Sequence, residues 1–219
     1  MAEVAMFSYN LGIIDYSERM IVEKGILKGF FQAMTGHWKE VHDVFDNDVF
    51  QALANFTNNV NVYDIREYGN YDNSALEKYL NLPEIKKKYG ILDSATYSLG
   101  SDKVYQALYN DFMQPVNDKV DFLLNNKIPV LVYNGQDDLI VTSPGTMTWV
   151  ERLDYAKNND FDKDFTVWKS TDKKKVFGYM KDGGLLQMRI VRDAGHLVPM
   201  NQPEAALNMI SDFVNNKCI

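Results

Sequence analysis

The chain has 219 residues, is 46% hydrophobic and 13% aromatic, and is not enriched in Gly or Pro, so it has the apolar content of a globular core and not that of a disordered chain. Its formal charge is −7 and its Lys and Arg form no long block, which argues against a phosphate-tracking surface and against nucleic acid as a partner. No apolar run approaches the ~20 residues of a membrane-spanning helix, and Met1-Ala2-Glu3 is not followed by the apolar stretch of a signal peptide, so we expect a soluble chain with no membrane contact and no N-terminal address.

The first half reads as helical. Asp15 followed three residues on by Glu18 is a capping-box start, and Met20, Ile21, Ile26, Leu27, Phe30 and Phe31 recur behind it at helical spacing, which predicts a helix over about 16–34. A second apolar pattern runs from Trp38 through Val41, Val44, Phe45 and Val49 to Leu53 and is ended by Asn58-Asn59, with an irregular segment over 60–65 beyond it. Leu76 to Leu80 reads as helix, and Pro83 and Gly90 are placed to open and close the next one. The last helix of this half is expected to start near Ser101 and run through Val104, Leu108, Phe112 and Val116 to Leu123-Leu124, kinked at Pro115.

Around Asn125-Asn126 the texture changes to short apolar runs separated by turns and helices, the pattern of an α/β layer. Ile128 to Tyr133 is apolar on both faces, which predicts a buried strand of a parallel sheet. Phe165 to Trp168 and Val176 to Tyr179 form a candidate hairpin. In the strand from Leu185 to Val191, Leu186, Met188 and Ile190 alternate with Gln187 and Arg189, and an amphipathic helix from Pro203 to Val214 follows. Gly183-Gly184 lies between two strands with no helix behind it, so it reads as a turn and not as a phosphate cradle. Trp149, Trp168 and the Met-rich final helix are expected in the core.

Chemistry is expected at the polar loops that follow the two long strands, because α/β proteins place it at the C-terminal edge of the sheet. The first loop is Asn134-Gly135-Gln136-Asp137-Asp138-Leu139-Ile140-Val141 and the second is Asp193-Ala194-Gly195-His196-Leu197-Val198-Pro199-Met200. In acyl-transfer hydrolases a buried carboxylate orients an imidazole that takes the proton of a serine, and in α/β hydrolases the acid precedes the histidine. A single cysteine, Cys218, excludes an intramolecular disulfide and a thiolate metal cluster. His37 and His42 are five residues apart, which is not the spacing that sets two ligands on one helix face, so both read as surface histidines, and we expect no metal and no cofactor. Asn55-Phe56-Thr57 is an N-glycosylation acceptor triplet of a kind that also arises by chance.

With these motifs the chain resembles the C-terminal half of the serine carboxypeptidases, especially the vitellogenic-like branch. Val130 to Val141 is similar to the family's acid motif, and Ala194-Gly195-His196-Leu197-Val198-Pro199 with Gln202-Pro203 to its histidine motif. Weaker similarity runs through Asp111 to Val116 and Tyr79 to Ile85 back to Tyr9 to Asp15. The resemblance implies an α/β fold in which residues 1–126 are a mainly helical, lid-type insertion and residues 127–219 are the C-terminal part of an α/β-hydrolase sheet. It implies that Asp138 is the acid, because Asp137 falls where the family tolerates many residues, and that His196 is the base. Leu197 would line the pocket for the departing residue, and Gly195 matches the small residue before the base that lets the backbone turn tightly. It also implies a peptide substrate and a secreted or lysosomal route.

The family's nucleophile lies in a Gly-x-Ser-x-Gly elbow far upstream, and none of Ser8, Ser17, Ser74, Ser94, Ser98, Ser101, Ser143, Ser170 and Ser211 has the paired glycines. The family's central Cys pair is also missing, which leaves the helical region to packing. Two readings stay open: one half of a carboxypeptidase that acts beside a serine-bearing N-terminal half, or a truncated, inert relative that binds a partner. A third keeps the fold and assigns no site. The resemblance also implies that the strand at Ile128 to Tyr133 is flanked on one side by the strand near Leu186 and on the other by a strand this chain lacks, so association with another chain or with a second copy is expected.

Overall fold

The computed structural model describes residues 3–159, 161 and 164–215. Cys218 lies outside them. The helical half begins with α1 (Val4–Asn10) and α2 (Tyr16–Met34), followed by α3 (Trp38–Val44), a π-helical turn (Phe45–Phe50) and α4 (Gln51–Phe56). At the start of α2 the capping box is complete. Asp15 Oδ1 accepts the Glu18 amide at 2.9 Å and Glu18 Oε2 accepts the Asp15 amide at 2.8 Å.

The helix over 16–34 is present, but its buried stripe differs from the expected one. Val22, Gly25, Ile26 and Gly29 face inward, whereas Met20, Ile21, Leu27, Phe30 and Phe31 are exposed. The glycines decide this: a Cβ on Gly25 would stand 3.1 Å from Val49 and one on Gly29 3.3 Å from Phe45, so the π-helical turn packs closely on that side. Val41, Val44, Phe45, Val49 and Leu53 are all buried, as their spacing predicts, and Asn58 and Asn59 stop the run in the left-handed conformation.

His42 corrects the surface reading. His37 is exposed, but His42 is buried against the Tyr109 ring, 3.9 Å between centroids, with Nε2 3.1 Å from the Tyr105 hydroxyl. It joins α3 to the helix carrying Tyr105. That helix is the second correction. In place of one kinked helix there are two, α7 (Asp102–Leu108) and α8 (Asn117–Asn125), following α5 (Ser74–Leu80) and α6 (Pro83–Tyr89), which Gly90 ends at φ +68°. α7 gives way to turns from Tyr109, and Pro115, with no N–H to give, and Val116, outside the helical region at φ −129°, keep the chain from re-entering a helix before Asn117.

The sheet is mixed, in the order β1-β4-β3-β2. β1 (Val130–Gly135) runs parallel to β4 (Leu186–Val191), while β3 (Val176–Gly183) is antiparallel to β4 and to β2 (Thr166–Lys169). β1 starts two residues later than expected and is only half-buried over its first residues. Among the described residues it pairs with β4 alone, so its other edge is open.

One face of the sheet packs with α8, α9 (Ser143–Glu151) and α10 (Asp154–Asn158) around Leu124, Val150, Leu153, Leu186 and Met188. The other packs with α12 (Pro203–Val214), which follows the short α11 (Val198–Asn201), around Trp168, Phe177, Val191, Ala205 and Met209. Trp149 is partly buried against the first of these clusters. The helical half has its own core, and it includes Leu139 from the loop after β1.

β4 is buried at all six positions, so the polar alternation of Gln187 and Arg189 does not mark a solvent face. Arg189 is 2% exposed, and its guanidinium meets the Asp182 carboxylate of β3 at 2.5 Å. Removing one member of such a pair leaves the other buried and uncompensated. Asp182→Ala is therefore expected to destabilise the chain by about 3 kcal/mol in urea unfolding, with most of that loss recovered in the Asp182→Ala/Arg189→Met double variant.

Candidate functional site

Parallel pairing of β1 with β4 aligns Gly135 with Val191, so the loops that follow the two strands leave the same edge side by side. The loops are bonded to each other: the Gln136 amide donates to the Val191 carbonyl at 2.9 Å and the Asp137 amide to the Ala194 carbonyl at 2.8 Å. This contact needs glycine, because a Cβ on Gly135 would lie 2.1 Å from the Gly195 carbonyl oxygen.

Asp138 is 2% exposed, and each carboxylate oxygen has a donor. Oδ1 accepts the Val141 amide at 2.9 Å, and Oδ2 lies 2.8 Å from His196 Nδ1. An ionised carboxylate only accepts, so Nδ1 carries the proton in this pair and the Nε2 lone pair is left free in the neutral imidazole. No group among the described residues hydrogen-bonds to Nε2. The side chain of His196 is 40% exposed. Its pKa is raised from the ordinary 6.5 by the hydrogen bond it donates to Asp138, and partial burial opposes that rise. A buried carboxylate behind an accessible, more basic imidazole is an arrangement that can draw a proton from a hydroxyl placed at Nε2.

The histidine loop is tightly held. Asp193 takes the left-handed turn at φ 53°, and the Gly195 amide donates to Asn201 Oδ1 at 3.1 Å. Gly195 itself is not in the left-handed region. Its smallness serves a close approach, since a Cβ there would stand 2.1 Å from the Tyr63 carbonyl oxygen. Leu197, directly after the base, is exposed and precedes α11. A cavity of about 410 Å³ reaches Gln136 and Asp137 and is walled by Phe7, Met147, Phe165 and Tyr179, but neither Asp138 nor His196 lines it. Among the described residues no group of three His, Cys, Asp or Glu side chains is placed to hold a metal ion.

The sequence reading missed the segment that braces this site from the helical half, residues 60–68, closed by an isolated bridge between Val60 and Tyr68. The Tyr63 carbonyl accepts the His196 amide at 2.7 Å, and its ring lies 5.4 Å from the imidazole centroid. The Val62 carbonyl accepts the Leu139 and Ile140 amides at 3.0 and 2.9 Å. The local signal was small. Asn61 Oδ1 accepts the Tyr63 amide in a two-residue turn, which marks an ordered loop but not its distant contacts.

Comparison with known proteins extends over the same residues. The family model for serine carboxypeptidases matches residues 11–216. Serine carboxypeptidase-like 48 of Arabidopsis thaliana is 36% identical over 175 residues, 78% of this chain and 34% of that protein. Serine carboxypeptidase S10 family member 1 of Dictyostelium discoideum is 29% identical over 217 residues, 96% of this chain and 51% of its own length. The chain thus spans about a third to a half of the relatives it matches. The crystal structure of Kex1Δp, a prohormone-processing carboxypeptidase from Saccharomyces cerevisiae, superposes with a TM-score of 0.77 over 98% of this chain and 52% of its own, at 18% identity, which establishes likeness of fold. With a family model matched over most of its length and an α/β architecture shared with a solved carboxypeptidase, the chain belongs to the serine carboxypeptidase family.

Proposed function

We propose that this chain supplies the acid and the base, Asp138 and His196, of a serine-type carboxypeptidase that removes C-terminal residues from peptides, and that the nucleophilic serine comes from a serine-bearing N-terminal half. The observation that carries this reading is the 2.8 Å contact between Asp138 Oδ2 and His196 Nδ1 with Nε2 left free. In the assembled enzyme Nε2 takes the serine hydroxyl proton as the oxygen attacks the last peptide carbonyl. The imidazolium, held by Asp138, then returns that proton to the departing amine, and water releases the acyl group by the same steps.

Leu197 and Gly195 flank the base, where the departing residue would lie. Residues 1–126 act as the helical lid and residues 127–219 as the hydrolase portion. The open edge of β1, with Ile128 and Tyr133 exposed beside it, is where the serine-bearing half or a second copy would pair. Asn55 is exposed near the end of α4, which suits glycosylation on a secretory or lysosomal route. Among the described residues no helix is long and apolar enough to cross a membrane.

A second reading is a catalytically inert family member that binds or covers a partner. The sequence feature that favours it is the lack of any Gly-x-Ser-x-Gly elbow in the 219 residues.

The readings separate by experiment. The isolated chain is expected to resist covalent labelling by a fluorophosphonate probe, whereas mixing it with a serine-bearing half is expected to give labelling on that half and release of C-terminal residues from peptides. Strong labelling of one serine of this chain would overturn the proposal, and a stable assembly that neither labels nor cleaves would favour the inert reading. In an active assembly, Asp138→Asn is expected to lower kcat about 10⁴-fold with folding intact.

The pairing also has a pH signature. Because Asp138 raises the pKa of His196, its contribution to stability is complete below the unfolded value near 6.5 and is lost as pH rises through the folded value. The stability difference between wild type and Asp138→Asn should therefore be larger at about pH 6 than at about pH 9 in urea unfolding, and the opposite trend would argue against the pairing.

A further inference from the structure

Asp64 is a carboxylate 1% exposed that takes no part in the proton relay. It is gripped at both oxygens by Arg66, with Nε 2.8 Å from Oδ1 and Nη2 2.6 Å from Oδ2, the two-pronged geometry that makes such pairs strong. The same guanidinium continues into both catalytic loops. Arg66 Nη1 donates to the Asp193 carbonyl at 2.7 Å, three residues before the base, and Nε stands 3.4 Å from the carboxylate of Asp137, the residue before the acid. The backbone around the pair does likewise, with the Ile65 amide on the Asp137 carbonyl at 3.1 Å and the His196 amide on the Tyr63 carbonyl at 2.7 Å.

We propose that Arg66, locked by Asp64, is a positioning residue that sets the spacing between the acid loop and the histidine loop and so keeps Asp138 within hydrogen-bonding reach of His196. The proposal rests on Asp138 and His196 being the working pair, and it gives the Tyr63-Asp64-Ile65-Arg66 segment of the helical half a part in the chemistry. Three acidic side chains meet at this point, Asp64, Asp137 and Asp193, with Glu67 and the Tyr71 phenol near Asp64, and Arg66 is the cation among them. Burial pushes Asp64 up, but the hydrogen bonds from Arg66 outweigh it and hold the carboxyl below its ordinary range. Burial also raises Asp137, and Arg66 opposes that rise. Without the guanidinium, the Asp193 carbonyl keeps, among the described residues, the side-chain amide of Gln202, at 3.0 Å, and the acidic groups repel one another across the gap between the loops.

The test is a titration of the His196 ring in the intact chain by NMR. Taking a cation away from a histidine favours the imidazolium by Coulomb's law, so a purely electrostatic role for Arg66 predicts a higher midpoint in Arg66→Gln. Positioning predicts the opposite sign. The loops part, the Asp138 bond weakens, and the midpoint falls by at least half of the drop that Asp138→Asn produces. Arg66→Lys keeps the charge but not the two-pronged grip, and is expected to fall by a smaller amount.

A folded Arg66→Gln whose midpoint is unchanged or raised overturns the proposal. If Arg66→Gln fails to fold, Arg66→Lys decides, and an unchanged midpoint there overturns it equally. An Asp138→Asn variant that leaves the midpoint in place would instead sink the underlying assignment of the pair.

Discussion

The candidate site of this chain depends on one contact made across two adjacent parallel strands, the bond between a buried carboxylate on the loop after β1 and an imidazole on the loop after β4. Each residue alone is unremarkable: Asp138 also accepts the Val141 amide, as a turn-forming aspartate does, and His196 sits before a short helix. What brings them into hydrogen-bonding contact is register. Parallel alignment of Gly135 with Val191 puts both loops at one sheet edge, the loops can touch only because position 135 is glycine, and Gly195 lets the Tyr63-Asp64 backbone approach the histidine loop. A one-residue slip of β1 against β4 would turn the side chains of that strand to the opposite face and shift the loop away from its partner.

The helical and sheet portions are not independent in this arrangement. Leu139, directly after the acid, is buried in the core of the helical half with Val4, Val22, Val49 and Leu53, and the amide of the base is bonded to the Tyr63 carbonyl. The acid loop is thus anchored on one side by the sheet and on the other by the helices. Against this, several surfaces carry apolar side chains without cover among the described residues: Phe30, Phe31 and Met34 along α2, and Ile128 and Tyr133 at the open edge of β1. Exposed apolar area of this kind marks contact surfaces in folded proteins.

Much of this was legible in the sequence because it is encoded locally. The capping box at Asp15, the Pro83 start and Gly90 stop, the hairpin strands and the final helix from Pro203 to Val214 each follow from a few neighbouring residues. The placement of Asp138 and His196 on loops that follow two strands was legible for the same reason. What escaped was set by distant packing. The buried side of α2 follows from glycine contacts with the π-helical turn, not from its apolar count, and His42 is buried because aromatic residues about sixty positions later close over it. α1, α9 and α10 were not expected, although Thr142 caps α9 and Pro144 sits in its first turn. The brace from Tyr63 to Arg66 could not be read at all, since its partners are distant in the chain, at Asp137, at Asp193 127 residues from Arg66, and at His196.

The central claim is that this chain by itself holds an imidazole oriented by a carboxylate, with the outer nitrogen ready to accept a proton. Nitrogen-15 chemical shifts of the His196 ring, recorded above its titration midpoint, report the tautomer directly. The account predicts the proton on Nδ1, hydrogen-bonded to Asp138, and a bare Nε2. A neutral ring protonated on Nε2, or one whose shifts do not respond to Asp138→Asn, would contradict it.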